Sequence, residues 1–172
     1  FGVMLVKMGV ADGMVSGATH PTADVMRPAL QIIKTKPGIK TASTFFVMCC
    51  DKKEFGDDGV LMFADCTLNQ FPDSQQLAEI AVTTADSYAA FCDNEARVAM
   101  LSHSTKGSAS HEMVDKVVNA TKIAQEMRPD IKLDGELQLD AAIVPSVGNQ
   151  KAPGSPVAGK ANVLVFPDID AG

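Results

Sequence analysis

The sequence has few arginines and an excess of acidic residues. Its three arginines are Arg27, Arg97 and Arg128, and its formal net charge at pH 7 is -6. Proteins that bind nucleic acid cluster lysine and arginine against the phosphate backbone. We therefore expect no nucleic-acid partner, and any anion that the chain binds must be held by a small local group of residues.

Long apolar runs and regularly spaced cysteines are also missing. The chain has no run of 18 apolar residues and no charged-then-apolar amino terminus, so we expect no membrane partner. Its four cysteines form no CxxC pair and have no histidine at ligand spacing, which argues against zinc and against a secreted disulfide framework. We expect buried, reduced thiols, no metal site and a cytoplasmic location. The cysteines are Cys49, Cys50, Cys66 and Cys92.

Apolar residues are abundant enough for a sizeable core, at 46% of the 172 residues. Strands that alternate with long helices predict an α/β fold with a mainly parallel sheet and an added β-hairpin. Pro28 is expected to interrupt a helix over 24–28 and to open the next one, which places Arg27 near a helix beginning. The type of element at 139–144 stays open. The predicted strands are 10–16, 41–50, 59–66, 97–101 and 163–166, and the predicted helices are 1–8, 29–36, about 73–94 and 111–127.

Three loops combine small residues, hydroxyl groups and a nearby cation. They lie at 15–20, 101–108 and 155–162, and the last leads into the apolar strand at 163–166. Backbone N–H groups can approach an anion closely in such loops because no large side chain intervenes. These loops are typical of a phosphate or acyl-phosphate pocket.

The motifs around these loops resemble those of one family. Together they resemble phosphate acetyltransferase, also called phosphotransacetylase, in order and over almost the whole chain. The chain has about half the length that this resemblance implies. The motifs are DGMVSGATH at 12–20, TAD at 22–24, RPALQI at 27–32, STKGSA at 104–109, DGELQ at 134–138 and KAPGSPVAGKAN at 151–162.

The resemblance implies a pair of α/β domains with an active-site cleft between them. Each is a three-layer α/β/α domain of the isocitrate/isopropylmalate dehydrogenase-like type. Residues 1–38 are then expected to be a fragment of the first domain and residues 39–172 most of the second. The breaker Lys36-Pro37-Gly38 marks the same boundary independently.

The reaction that the resemblance implies is reversible acetyl transfer between coenzyme A and inorganic phosphate, with acetyl-CoA and acetyl phosphate as the acyl donors and no further cofactor. A homodimer is also expected from the family. The family's general base and serine-arginine pair are expected beyond Gly172, so the 172 residues alone should be inactive. The alternatives are a phosphate butyryltransferase, the related regulatory domain of some malic enzymes, which senses acyl-CoA or acetyl phosphate, and an interaction domain that binds no ligand.

Arg27 is the main candidate for phosphate binding, since it matches a substrate-binding arginine of the family; the alternative is a surface ion pair with Asp24. Ser16, Gly17 and Thr22 offer hydroxyl and backbone donors, although such a loop can also be an ordinary tight turn. His20 can donate to phosphate or simply fix its loop. Arg97 and Arg128 are expected to be structural. These assignments define the first half of the predicted site.

The second predicted half follows the strand at 97–101 and consists of Ser104, Thr105, Lys106 and Gly107. Lys106 is expected to supply a charge for phosphate or the acyl carbonyl; the alternative is a solvated lysine. His103 occupies a position where the family usually has an aromatic residue. Lys160, Asn162 and Asp168 flank the last strand and are expected to support the site indirectly, although their loop can also be kept for its turn.

Overall fold

The computed structural model describes all 172 residues, and they form two compact units, Phe1–Ala42 and Ser43–Gly172. This division lies close to the Lys36-Pro37-Gly38 breaker. That the two units are parts of two larger α/β domains stays a prediction.

The first unit contains α1 (Gly2–Lys7) and α2 (Thr22–Pro28), followed by a π-helical turn at Ala29–Ile33. The helix predicted at the start of the chain is confirmed. The strand predicted at 10–16 is wrong, because this segment is turn and loop, with Val10 and Val15 exposed. A strand needs a neighbouring strand for its backbone hydrogen bonds, and this unit contains none.

The prediction that Pro28 interrupts the helical segment is wrong. Helix α2 runs through Pro28, and the wider π-helical turn begins directly after it. The segment ends at Lys34, where φ is +70°. Arg27 therefore lies in the last turn of α2, and its predicted position near a helix beginning is wrong.

The second unit is built on a five-stranded, mainly parallel sheet in the order β1-β2-β5-β3-β4. Strand β1 pairs antiparallel with β2, and the other neighbouring strands are parallel. The predicted β-hairpin and mainly parallel sheet are thus confirmed. The strands are β1 (Phe46–Cys49), β2 (Val60–Ala64), β3 (Arg97–Leu101), β4 (Lys132–Leu137) and β5 (Val163–Val165).

Helices cover both faces of this sheet and give the expected three layers. Helices α3 (Ser74–Cys92) and α4 (Glu112–Met127) pack on one face around Met62, Val98 and Met100. A capping box between Asp73 and Gln76 fixes the start of α3. On the other face Ala99, Leu101 and Leu164 pack against the short helices α5 (Leu139–Ile143) and α6 (Pro145–Lys151) and the loop that follows them. None of the helices has the length and apolar character that crossing a membrane requires.

Two further features differ from the sequence expectation. No element was predicted at β4, since its Asp134-Gly135-Glu136 core has low strand propensity. The cysteines are free thiols, but Cys49 is exposed and the other three are half-buried, so the expectation of buried thiols is wrong. Cys49 lies on the sheet edge, in the outermost strand.

Candidate functional site

The first unit presents the loop that contains Ser16, Gly17 and His20. Gly17 and Ala18 adopt positive φ values of 134° and 56°, and the His20 N–H donates to the Gly17 carbonyl oxygen at 3.1 Å. Ser16 and His20 line a cavity of about 210 Å³ that also contains Asp24. Thr22 is the exposed first residue of α2. The loop therefore leads straight into the amino-terminal turn of this helix.

Arg27 makes no ion pair within the chain. The alternative of a surface pair with Asp24 is not seen, whereas Arg97 and Arg128 both bind carboxylates. Arg27 is exposed. Its guanidinium group is therefore available to an anion, and its role in phosphate binding stays a prediction.

In the second unit, the loop after β3 is held from inside by a buried carboxylate. Glu136 Oε1 accepts hydrogen bonds from Ser104 Oγ at 2.9 Å and from the Gly107 N–H at 2.8 Å. The Thr105 hydroxyl accepts from the Gln138 N–H at 2.8 Å and donates to Gln138 Oε1 at 3.2 Å. Ser104 and Thr105 are buried, so their hydroxyls point into the protein. Their contacts fix the loop, and a direct contact with substrate stays a prediction.

Lys106 is not a freely solvated lysine. Its Nζ lies 2.5 Å from Asp134 Oδ1 and donates to the Gly135 carbonyl oxygen at 2.8 Å. Asp134 is also hydrogen-bonded by Ser155 Oγ, which belongs to the loop at 153–156. Lys106, Asp134 and that loop line a cavity of about 430 Å³ together with Lys151. The side chain of Lys106 remains 39% exposed and can face a bound anion.

A larger cleft of about 610 Å³ lies at the carboxyl ends of β3 and β5. Its walls are mainly apolar, and its polar groups include Ser102, His103, His111 and Asp168. The His103 and His111 rings lie edge to face with centroids 6.3 Å apart. The apolar lining residues are Leu101, Met113, Leu139, Phe166, Pro167 and Ala171.

A lysine from α4 lies next to this cleft. Lys116 Nζ donates to the carbonyl oxygen of Pro167 at 2.7 Å. Burial lowers the pKa of this lysine, although the nearby charge of Asp168 opposes the shift. The contact ties α4 to the segment that follows β5.

Lys160 and Asn162 lie at the other end of the sheet, where β3 and β5 begin. The fully buried Asn162 accepts from the Arg97 N–H at 2.6 Å and donates to Asp57 Oδ2 at 3.0 Å and to the Glu95 carbonyl oxygen at 2.9 Å. The Lys160 carbonyl oxygen accepts from Arg97 Nε at 2.6 Å. The structure thus separates these two residues from Asp168, and their support of a site stays a prediction.

Several residues of these cavities were missed from sequence. His111 and Met113 are far apart in sequence from Phe166 and carry no shared motif, while Ser102 lies inside the predicted loop at 101–108 but was given no role of its own. The one available signal was position, because residues just after parallel strands collect at one edge of the sheet. No group of three or more His, Cys, Asp or Glu side chains comes together in a way that holds a metal ion.

The chain is similar to known proteins over its whole length. The family model described as Phosphate acetyl/butaryl transferase matches residues 1–172. The chain is 60% identical over 172 residues to the phosphate acetyltransferase of Thermoanaerobacterium thermosaccharolyticum and 57% identical to that of Clostridium acetobutylicum, and in each case the match covers 100% of this chain and 52% of the relative. The chain therefore spans about half the length of these relatives.

A solved structure gives the same result. The phosphotransacetylase of Streptococcus pyogenes superposes with a TM-score of 0.90 at 57% sequence identity, over 99% of this chain and 50% of that one. The backbone described above is therefore closely similar to that of a solved phosphotransacetylase over the matched region. Since the family model also covers every residue, the chain belongs to the phosphate acetyl/butaryl transferase family.

Proposed function

We propose that this chain forms part of an enzyme that transfers an acetyl group reversibly between coenzyme A and inorganic phosphate, giving acetyl phosphate. The observation that carries the proposal is the match over the full chain, at 57–60% identity, to relatives named phosphate acetyltransferase. Because the chain covers 52% of those relatives, the activity is assigned to a protein of their length.

The reaction requires three things of a site: a deprotonated thiol, a polarised acetyl carbonyl and a positioned phosphate dianion. We assign phosphate or acetyl phosphate binding in the first unit to Arg27, with Ser16, Gly17, His20 and Thr22 as further donors. This is supported by the absence of any internal ion pair at Arg27 and by the left-handed backbone at Gly17, which a small residue permits. A guanidinium can bind two phosphate oxygens at once.

In the second unit we propose that Lys106 binds the anion and that the loop 104–107 holds Lys106 in position. The ammonium group of Lys106 forms a hydrogen-bonded ion pair with Asp134, so it is held in position before substrate binds. Ser104, Thr105 and Gly107 then act by keeping the loop in one conformation. The apolar cleft beside Ser102 and His103 has a volume of about 610 Å³, which suits a mainly apolar part of a substrate.

The substrates are coenzyme A, acetyl-CoA, acetyl phosphate and phosphate, and we propose no further cofactor. We also propose a homodimer in the cytoplasm, since the resemblance implies a dimer and the thiols are free. Butyryl transfer and a sensing role without turnover are not favoured by the comparisons, because the relatives at 57–60% identity are named phosphate acetyltransferases.

A chimera tests the proposal. The 172 residues replace the matching segment of the relative from T. thermosaccharolyticum, and the parent enzyme is the matched control. Thioester absorbance is followed with coenzyme A and either acetyl phosphate or butyryl phosphate. We expect turnover with acetyl phosphate and a higher kcat/KM for it than for butyryl phosphate. A folded chimera that binds acetyl phosphate without turnover would support the sensing role, and a preference for butyryl phosphate would support the other alternative.

A further inference from the structure

Asp65 is a buried carboxylate that follows β2 directly. Strand β2 runs parallel to β5, so its carboxyl end lies at the same edge of the sheet as the cleft of about 610 Å³. Asp65 is only 2% exposed, and it belongs to none of the three predicted ligand loops. A buried charge is costly unless its oxygens are paired and hydrogen-bonded. The partners of Asp65 therefore show which part of the chain this charge holds.

Six hydrogen-bond donors surround the Asp65 carboxylate. Oδ1 accepts from the Thr44 hydroxyl at 2.5 Å and from the N–H groups of Thr67 and Leu68 at 3.0 and 3.1 Å. Oδ2 accepts from the Asn69 side-chain amide at 2.5 Å and from the N–H groups of Thr44 and Asn69, each at 3.3 Å. Burial raises the pKa of Asp65, but these hydrogen bonds outweigh it and hold the pKa below its ordinary value of 3.8. The side chain is therefore charged at neutral pH.

The charge of Asp65 fixes the loop 65–70. Three consecutive N–H groups, those of residues 67–69, turn inward to this one side chain, as in other turns built on an aspartate. An asparagine at this position would have the same size, but its NH₂ group would face donors in either orientation. The conformation of the loop thus depends on the negative charge and not only on the shape of residue 65.

The loop 65–70 in turn holds one wall of the cleft. The Phe166 N–H donates to the Ala64 carbonyl oxygen at 2.7 Å, and the Ile169 N–H donates to the Gln70 carbonyl oxygen at 3.1 Å. Asp65 stands between these two acceptors in the sequence and sets the path of the chain from one to the other. We call residues 166–171 the wall segment. Its cleft-lining residues are Phe166, Pro167, Asp168 and Ala171.

We propose that Asp65 is a positioning residue for substrate binding, which acts by setting the place of the wall segment and thus the width of the cleft. The inference rests on the proposed function, in which this cleft takes a mainly apolar part of a substrate. Coenzyme A and acetyl-CoA have a long uncharged arm between the sulfur and the phosphates, whereas phosphate and acetyl phosphate are small and charged. Asp65 should therefore affect the binding of coenzyme A and not that of acetyl phosphate.

The kinetic test compares Asp65→Asn with Asp57→Asn in the chimera. Asp57 is the matched control, because it is also a carboxylate surrounded by hydrogen-bond donors and lies at the opposite end of the sheet. Both variants should have a lower Tm. Only Asp65→Asn should raise the KM for coenzyme A, on the order of tenfold, because a small misplacement of a binding wall is enough for such a loss. Its KM for acetyl phosphate should stay at the wild-type value.

Hydrogen exchange tests the same contacts without relying on activity. Mass spectrometry of chimera peptides that cover residues 166–172 reports on the N–H groups of Phe166 and Ile169, which should exchange faster in Asp65→Asn. The Ser102 N–H is the internal control. It also belongs to a residue that lines the cleft, but it donates to the Leu137 carbonyl oxygen on β4. Its exchange rate should therefore stay unchanged.

Three results would overturn the proposal: wild-type exchange of the wall segment in folded Asp65→Asn, faster exchange with an unchanged KM for coenzyme A, or an equal rise of that KM in Asp57→Asn. An inactive wild-type chimera would instead reject the proposed function, and the exchange rates would still decide whether Asp65 holds the wall segment. If Asp65→Asn does not fold, Asn69→Ala takes its place, since it keeps the charge but removes the side-chain donor to Oδ2. We expect a several-fold rise of the KM for coenzyme A in this variant, and an unchanged value would overturn the proposal.

Discussion

Arg97 Nη2 lies 2.5 Å from Asp57 Oδ1, which ties the first residue of β3 to the turn before β2. Asp57 also accepts from Tyr88 at 2.7 Å and from the buried Asn162 at 3.0 Å. Several separate parts of the second unit thus meet at one carboxylate, at the end of the sheet opposite the loop 104–107.

Asn162→Ala should lower the free energy of unfolding by about 2–3 kcal/mol. It removes the buried side chain that pairs with the Arg97 N–H, the Glu95 carbonyl oxygen and Asp57, and the loss of several hydrogen bonds at a partly buried place is costly. Urea denaturation measures the change. Asn119→Ala, at an exposed position of α4, is the control and should change stability by no more than about 0.5 kcal/mol. Equal effects of the two substitutions would contradict a structural role for Asn162.

The Asp57 carboxylate should also make the stability of the fold depend on pH. Burial alone would raise the pKa of Asp57, but hydrogen bonds from Arg97, Tyr88 and Asn162 outweigh it and hold the pKa below its ordinary value of 3.8. A carboxyl whose pKa is lower in the folded state stabilises the fold above its ordinary pKa, and this contribution is lost as the pH falls through the folded pKa. Wild type should therefore lose stability below about pH 4 more steeply than Asp57→Asn. Parallel curves of unfolding free energy against pH for the two proteins would rule this out.

The sequence predicted the larger elements of the second unit well, because their signals are local. The apolar face of α3 and the strand at Arg97–Leu101 follow from periodicity, and the start of α3 from its capping residues. Strand β4 could not be predicted in this way. Its Asp134 and Glu136 bind Lys106 and Ser104, which lie well before β4 in the sequence and come near only in the folded chain. The strand expected at 10–16 does not form for the opposite reason. Its residues have good local strand propensity, but the first unit contains no other strand with which they could pair.

The positions of the candidate loops could be predicted from the sequence, but the contacts that their residues make could not. The loop after β3 does follow a parallel strand, as the sequence predicted, and its role in binding a ligand stays a prediction. Its hydroxyls bind Glu136 and Gln138, because DGELQ lies beside the loop in the sheet, and these contacts could not be read from the sequence. A direct contact of Ser104 or Thr105 with substrate stays a prediction. Asn162 was grouped with Asp168 from their closeness in sequence, yet β5 runs between them and places them at opposite ends of the sheet.

Glu136→Ala should loosen the loop 104–107. The substitution leaves the Gly107 N–H without its acceptor and removes the shortest hydrogen bond that the fully buried Ser104 hydroxyl donates. We expect a lower Tm and faster hydrogen exchange at the Gly107 amide. Glu136→Gln keeps one carbonyl oxygen and should restore part of both properties. The control is Glu126→Ala on the exposed surface of α4, and an unchanged Gly107 exchange rate in Glu136→Ala would contradict this role.

Lys106→Met, in the chimera, separates substrate binding from stability. The ion pair with Asp134 is 39% exposed on the lysine side. Solvent screening therefore limits its contribution to stability to about 1 kcal/mol. If Lys106 contacts the anion, KM for phosphate should rise several-fold while Tm changes little. Lys122→Met, at an exposed position of α4, is the matched control. A fall in Tm with an unchanged KM would show that Lys106 serves only to hold β4.

Arg27→Ala tests the central assignment of the first unit. Because Arg27 makes no ion pair within the chain, its removal should leave Tm nearly unchanged. Loss of a charge-assisted pair with phosphate should raise the activation free energy of the chimera by about 2–3 kcal/mol, seen as a lower kcat/KM for acetyl phosphate. Arg27→Lys keeps the charge but not the two-pronged geometry and should recover only part of the activity. Arg128→Ala, which removes exposed pairs with Asp86 and Asp130, is the control and should leave kcat/KM unchanged. If Arg27→Ala instead keeps full activity, phosphate is bound by other residues, and Lys106 becomes the first to test.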